Sequence, residues 1–167
     1  LIDVLSEELN SNLPRTLSSR GFREGDFDWY SSVTSGNQYR TFTRQHIKTG
    51  KKDVVLDLNS VASDSPYFKL GHLDTSPNHN YVAYSEDRTG SGRFSLVLVN
   101  IPTREMHWIA NDLDPRFAWL GSKIVYSDTN SGEVRLADLN SQHEVIFVEE
   151  NQGASIEIHQ SGRGTPM

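Results

Sequence analysis

Serine is the residue that could supply a nucleophile, because the chain contains no cysteine. An α/β serine hydrolase holds its nucleophile in a Gly-x-Ser-x-Gly turn, which exposes the serine oxygen between a strand and a helix. That pentapeptide is absent, and the nearest clusters are Gly90-Ser91-Gly92-Arg93 and Ser161-Gly162-Arg163-Gly164. Glycine and serine are common in tight turns. We therefore predict that both clusters are turns and that this chain carries no catalytic residue.

Side chains that bind metals are present, but their spacing does not form a site. No two histidines stand two or four residues apart, the spacing that lets neighbouring side chains share one ion. The carboxylates of residues 112–114 and of Glu149-Glu150 lack the glycine-centred loop of a calcium site. Gly90-x-Gly92 lacks the third glycine and the helix of a dinucleotide site. We predict no metal and no cofactor, carboxylates in solvated turns, and structural or surface roles for the histidines. These are His46, His72, His79, His107, His143 and His159.

Seven aromatic residues could form a platform on which bases or sugars stack. Most of them recur at equivalent places in a sequence repeat, which favours packing between the repeated units, since buried aromatic rings dominate core energetics. We predict core packing for all seven. They are Trp29, Tyr30, Tyr39, Tyr84, Trp108, Trp119 and Tyr126.

The composition argues against partners that carry many negative charges. The formal net charge is −6, from 16 Lys and Arg against 22 Asp and Glu, whereas nucleic-acid binders concentrate basic residues. An anionic membrane surface is disfavoured for the same reason, and no apolar run is long enough to cross a bilayer. The absence of cysteine fits a reducing compartment. We expect a cytoplasmic protein without nucleic-acid or membrane partners.

Short elements position these residues. The first thirteen residues place Ile2, Leu5, Leu9 and Leu13 three or four apart ahead of Pro14, which predicts one short amphipathic helix. From residue 27 onward, β-branched and aromatic runs alternate with Gly, Asn, Asp, Ser and Pro, which is typical of strands joined by tight turns. No second helical segment of convincing length is predicted. The predicted strands are 27–33, 38–45, 53–58, 81–86, 93–100, 105–109, 123–127, 133–138 and 144–148, with further candidates at 69–75, 116–120 and 155–160.

These strands repeat as a group. Tyr30-Ser31, Tyr84-Ser85 and Tyr126-Ser127 each close an apolar run, and each precedes a turn rich in Gly, Ser or Thr and then another strand. The copies recur every 40 to 55 residues or so, which is the period of β-propeller blades. Coverage by neighbouring blades would also explain why residues 94–99 are almost continuously apolar. The turns at 34–37, 89–92 and 129–132 are predicted to be equivalent hairpins.

The fold class predicted from this repeat is all-β. We expect a partial β-propeller of about three four-stranded antiparallel blades plus the start of a fourth, preceded by one short helix. The helix and its lead-in take residues 1–20 and the incomplete propeller takes residues 21–167, with blades at roughly 21–65, 66–112 and 113–152 and the next from 153. An incomplete ring leaves strand edges and blade faces uncovered, so we expect self-association.

Several stretches resemble a known family. They are Val54-Val55-Leu56-Asp57-Leu58-Asn59, Tyr67-Phe68-Lys69-Leu70-Gly71 and the run from Ser76-Pro77-Asn78 to Ser85. Together they resemble the N-terminal propeller of the prolyl oligopeptidase family of serine peptidases. The helix with Gly25-Asp26-Phe27-Asp28-Trp29, and residues 148–150 with 161–164, are similar to the oligopeptidase B (protease II) group of that family.

The resemblance implies a serine endopeptidase that cleaves short peptides, after basic residues if the oligopeptidase B assignment holds. In that family an α/β-hydrolase domain of the same parent chain supplies the Ser-Asp-His triad, and the propeller restricts entry to short peptides. Acidic residues on an inner surface could attract basic substrates. The alternative is a stand-alone propeller that binds a protein or peptide without enzymatic activity, because fold does not fix function. A Gly-x-Ser-x-Gly segment downstream in the reading frame would decide for the peptidase.

Overall fold

A computed structural model describes residues 16–19, 21–138 and 143–148. Within these residues the chain forms twelve strands and a single five-residue helix, so the all-β prediction is confirmed. No helix in this part of the chain is long and apolar enough to cross a membrane. The predicted helix at residues 1–13 and the candidate strand at 155–160 lie outside the described residues.

The described residues form two compact units, which divide between Asp64 and Ser65. In the first unit, β3 pairs antiparallel with β4 and β4 with β5, while two short strands pair with opposite halves of β3. The two short strands were not predicted, because three residues carry too little periodicity to be recognised. The elements are β1 (Thr16–Ser18), β2 (Phe22–Glu24), β3 (Phe27–Thr34), β4 (Thr41–His46), β5 (Lys52–Asp57) and α1 (Leu58–Ala62).

Helix α1 corrects the prediction that a strand continues to residue 58. The strand ends at Asp57 because its carboxylate caps the helix by accepting the backbone N–H of Asn59 at 3.0 Å. Such a cap satisfies a donor that the first helical turn leaves free. The Asn59 side chain then donates to the carbonyl of Tyr39 and accepts from its N–H, each at 3.0 Å. These bonds anchor the helix to the segment between β3 and β4.

The second unit is one seven-stranded antiparallel sheet in which every strand pairs with its neighbour in sequence. Most of these strands lie within two residues of the predicted bounds. They are β6 (Lys69–Thr75), β7 (Tyr81–Asp87), β8 (Phe94–Asn100), β9 (Met106–Leu120), β10 (Lys123–Asp128), β11 (Glu133–Ala137) and β12 (His143–Val148).

Strand β9 differs from the prediction of two separate strands at 105–109 and 116–120. It runs for 15 residues, pairing with β8 through its first half and with β10 through its second. The change of partner falls next to Asp112, whose φ of 57° kinks the strand. The change of partner divides the sheet into two groups of four strands, β6–β9 and β9–β12, which share β9. The blade boundaries given above remain predictions.

The core of the second unit contains side chains from both groups of strands. Strand β8 is buried along most of its length, as its nearly continuous apolar sequence predicted. The core cluster consists of Ala83, Phe94, Leu96, Leu98, Ile109, Leu113, Phe117, Trp119, Ile124, Tyr126 and Ala137.

Candidate functional site

A cavity of about 230 Å³ lies in the second unit, between the turn that follows β6 and the turn that follows β9. Residues 76–78 and Tyr81 form one side, and Trp119 with residues 121–122 forms the other. Each of these turns connects the first two strands of a four-strand group. The cavity therefore lies at one end of the sheet, between two groups of strands.

The turn on the first side of the cavity is fixed by its own hydrogen bonds. The Ser76 hydroxyl donates to Oδ1 of Asn78 at 2.7 Å and accepts the backbone N–H of Tyr81 at 3.0 Å. Oδ1 of Asn78 also accepts the N–H of Asn80 at 3.1 Å. His79 takes a φ of 57°, and its N–H donates to the Ser76 carbonyl. This side of the cavity is therefore preformed.

Trp119 on the second side is only 8% exposed. Its indole Nε1 is buried and has no hydrogen-bond partner among the described residues. An unsatisfied buried donor costs about 1–3 kcal/mol, and this nitrogen is itself shielded from solvent.

The opposite end of the sheet carries the hairpin between β7 and β8, which Asp87 organises. Its buried carboxylate accepts the backbone N–H groups of Thr89, Gly90 and Gly92 at 2.8 to 2.9 Å. Burial raises the pKa of Asp87, but these bonds, with one from the Thr89 hydroxyl, lower it to about 2. The cluster Gly90-Ser91-Gly92 is therefore a turn, as predicted.

Arg93 connects this hairpin to the next one. Its guanidinium donates to Oδ1 of Asn130 at 2.8 Å and lies 3.5 Å from the carboxylate of Asp112. The Asp112 carbonyl accepts both the N–H and the hydroxyl of Thr129. The two hairpins are thus tied together at this end of the sheet.

An ion pair between buried Glu86 and partly exposed Arg88 lies beside the hairpin at the end of β7. Glu86 is 1% exposed and accepts two hydrogen bonds from the Arg88 guanidinium, at 2.6 and 3.2 Å. The guanidinium also lies 5.8 Å from the ring centre of Phe68. Burial, together with the negative charge of Glu86, raises the pKa of Tyr84. Because its carboxylate is already paired and shielded from solvent, Glu86 is poorly placed to act as an acid or base.

The predicted metal-ligand types are dispersed. Among the side chains that the structure describes, no three His, Asp or Glu residues form a group that could hold a metal ion. Burial and the charge of Arg116 lower the pKa of His72, whose ring meets Phe117 edge-on at 4.9 Å. Asp112 and Asp114 lie within strand β9 and not in a turn, so the turn prediction is wrong for them; Asp112 contacts Arg93, and Asp114 is exposed. Glu149, Glu150 and the cluster at 161–164 lie outside the described residues.

The prediction of core packing holds for four of the seven aromatic residues. Tyr30 and Tyr39 are half-buried, and for Trp108 the prediction is wrong, since this residue is 56% exposed. It lies in the first half of β9, the outermost strand of its group, where equivalence in the repeat does not ensure a covering neighbour. The four buried residues are Trp29, Tyr84, Trp119 and Tyr126.

Sequence reasoning also missed the cavity. Its lining residues come from two turns more than 40 positions apart, and no spacing rule connects them. The available signals were the Ser76-Pro77-Asn78 turn and a tryptophan directly before the Gly121-Ser122 turn.

Comparison with known proteins places the chain in a family. It matches the model of the prolyl oligopeptidase N-terminal β-propeller domain over residues 3–161. It is 24% identical over 151 residues to the uncharacterized peptidase y4sO of Sinorhizobium fredii. The aligned region covers 86% of this chain and 21% of that relative. It is also 24% identical over 110 residues to Protease 2 of Moraxella lacunata, or 62% of this chain and 16% of that protein.

Solved structures agree with this match. Oligopeptidase B from Leishmania major superposes with a TM-score of 0.71 at 19% identity, over 89% of this chain and 23% of that one. The chain thus spans about a fifth of the length of the relatives it matches. The antiparallel sheets described above are the blades of a propeller, as the repeat predicted, and the chain belongs to the prolyl oligopeptidase family as a portion of its N-terminal β-propeller domain.

Proposed function

We propose that this chain is the substrate-filtering part of a serine oligopeptidase that hydrolyses short peptides after basic residues. The observation that carries the proposal is the family match over residues 3–161 in a chain that lacks any Gly-x-Ser-x-Gly turn. In this proposal the Ser-Asp-His triad belongs to an α/β-hydrolase domain of the same parent chain, and the propeller limits which peptides reach it. The parent protein acts in the cytoplasm.

The bonding of the buried acidic groups supports a scaffolding role for the described residues. The carboxylates of Glu86 and Asp87 are both 1% exposed, and each is bonded to nearby groups of its own hairpin. A general acid or base must reach the proton that it transfers. Neither carboxylate is accessible for that purpose, so both are better suited to hold the hairpin.

Charge supports the preference for basic peptides. The chain carries a net charge of −6, and the carboxylate of Asp114 is exposed on β9. A negative surface raises the local concentration of cationic peptides and their rate of encounter. The resemblance to the oligopeptidase B (protease II) group implies the same preference.

A fluorophosphonate probe, which labels activated serines, tests the location of the nucleophile. We expect the parent protein to be labelled at one serine and the isolated 167-residue chain to remain unlabelled, because an unactivated serine hydroxyl is a weak nucleophile. The heat-denatured parent and a Ser91→Ala variant of the chain serve as controls. Stoichiometric, heat-sensitive labelling of the chain that Ser91→Ala abolishes would contradict the proposal, as would a parent protein that is not labelled.

Substrate preference is tested on the parent protein with matched fluorogenic peptides that differ only in the residue before the scissile bond. We expect kcat/KM to be at least about tenfold higher for Arg or Lys than for Leu, which corresponds to one recognised charge. Equal values would contradict the preference for basic residues and leave the location of the nucleophile unaffected.

A further inference from the structure

The cavity between the turns after β6 and β9 is suited to one uncharged group. All of the residues that line it are uncharged, and three of them are Pro77, Tyr81 and Trp119. A charged side chain would lose hydration there without gaining a partner, which is unfavourable. The cavity volume of about 230 Å³ is below the roughly 300–1,000 Å³ of sites for whole small molecules. One apolar side chain is a better fit in size.

Two side chains at the cavity offer hydrogen-bonding groups to a ligand. The Oδ1 atom of Asn78 is already occupied by Ser76 and Asn80, which leaves the amide Nδ2 as the free group of that side chain. Ser122 is exposed and contributes a hydroxyl. An amide N–H that can donate and a hydroxyl that can donate or accept are complementary to a peptide backbone, which carries a carbonyl oxygen at every residue.

We infer that this cavity is a docking site for an extended peptide, which inserts one uncharged apolar side chain between Tyr81 and Trp119 and offers its backbone carbonyls to Asn78 and Ser122. The inference rests on the proposed function in one respect, namely that the ligand is a peptide. Within the proposed function, the site would select peptides that carry an apolar residue.

Binding is measured on the 167-residue chain with acetyl-leucine N-methylamide as the probe. The three indole N–H signals in a ¹H–¹⁵N spectrum report on Trp29, Trp108 and Trp119 separately, and a Trp119→Phe variant assigns the third. We expect a saturable shift of the Trp119 signal alone, with a dissociation constant on the order of 10 mM for so small a ligand. Nα-acetyl-lysine N-methylamide, whose side-chain ammonium group remains charged, should bind at least about tenfold more weakly.

Two matched variants place the binding in the cavity. Ser122→Phe fills it from an exposed position, and we expect the leucine probe to bind at least about tenfold more weakly. Ser131→Phe adds the same ring to the exposed turn between β10 and β11 and should leave binding unchanged. If Ser122→Phe does not fold, Pro77→Ala removes one apolar wall from an exposed position and should weaken binding about threefold.

The inference is overturned if the Trp119 signal does not shift, if both probes bind equally, or if neither cavity variant weakens binding. None of these outcomes bears on whether the parent protein reacts with a fluorophosphonate. Failure of the docking site and failure of the proposed function are therefore distinguishable.

Discussion

Gly71 on β6 lies close to Ser85 of β7 and Phe94 of β8. Next to it, the hydroxyl of Ser85 on β7 accepts the backbone N–H of His72 and donates to the carbonyl of Pro115 on β9. A Cβ atom at Gly71 would lie 2.5 Å from that hydroxyl oxygen and 2.7 Å from the ring of Phe94. The pairing of β6 with β7 also shifts here. Only a residue without a side chain fits this position.

We expect Gly71→Ala to destabilise the chain by about 1–3 kcal/mol, the usual cost of overpacking a tight site. The loss arises because the methyl group displaces Ser85 from its two hydrogen bonds or pushes the ring of Phe94 out of the core. Urea unfolding followed by tryptophan fluorescence measures it. Asn111→Ala, at an exposed position of β9, is the control and should change stability by less than about 0.5 kcal/mol. Equal stability of the two variants would contradict this account.

Two hairpins of the second unit are stabilised in the same way, by an aspartate at the end of their first strand. Asp87 at the end of β7 and Asp128 at the end of β10 each accept backbone N–H groups from the following turn. In the first unit the corresponding turn uses a backbone bond instead, from the N–H of Asn37 to the carbonyl of Thr34. The three turns therefore hold the same place between antiparallel strands without sharing the same chemistry. The glycine and serine content predicted where the turns lie, and the presence or absence of a local carboxylate decides which hydrogen bonds hold each turn.

The β7–β8 hairpin should weaken in acid because the folded pKa of Asp87 is about 2, against about 3.9 for an unfolded aspartate. A lowered pKa means that the stabilisation is fully present above pH 4 and is lost as the pH falls toward 2. We expect Asp87→Asn to lower the melting temperature at pH 7 and to flatten the acid limb of stability between about pH 4 and 2.

Thermal unfolding at a series of pH values measures this change. Asp114→Asn, at an exposed carboxylate, is the matched control and should leave both the melting temperature and the acid limb unchanged. An unaltered acid limb in Asp87→Asn would show that the carboxylate does not hold the turn.

Most strands and much of the core were predictable because their apolar runs are long and bounded by turn residues. The departures come from information that is not local in sequence. Strand β9 continues through the kink at Asp112, so two predicted strands are one. The Asp57 side chain accepts the N–H of Asn59 and starts a helix. Trp108 is exposed because no neighbour among the described residues covers it, whatever its position in the repeat. The cavity beside Trp119 requires two distant turns to meet, which only the folded chain shows.

At the scale of the whole chain, we expect self-association. Among the described strands, β6 and β12 form the two edges of the seven-stranded sheet, and an edge strand can pair with another chain. Met106 and Trp108 add exposed apolar surface on the same side of β9. Sedimentation velocity over a concentration series should show the weight-average mass rising to at least about twice that of the monomer.

A Trp108→Ser variant distinguishes the two routes of association. Weaker self-association in this variant assigns it to the exposed apolar surface, and unchanged self-association assigns it to strand edges. A strictly monomeric chain at high concentration with cooperative unfolding would contradict the expectation.

Strand β9 has a consequence for how the second unit comes apart. Most paired residues of β9 bond to one neighbour only, residues 106–110 to β8 and residues 117–120 to β10, but Leu113 pairs both with Phe94 of β8 and with Asp128 of β10. Amide protons next to Leu113 should therefore exchange with solvent more slowly than those at the two ends of β9, because both groups hold this position. A break or insertion is therefore better tolerated in a hairpin turn than at this junction.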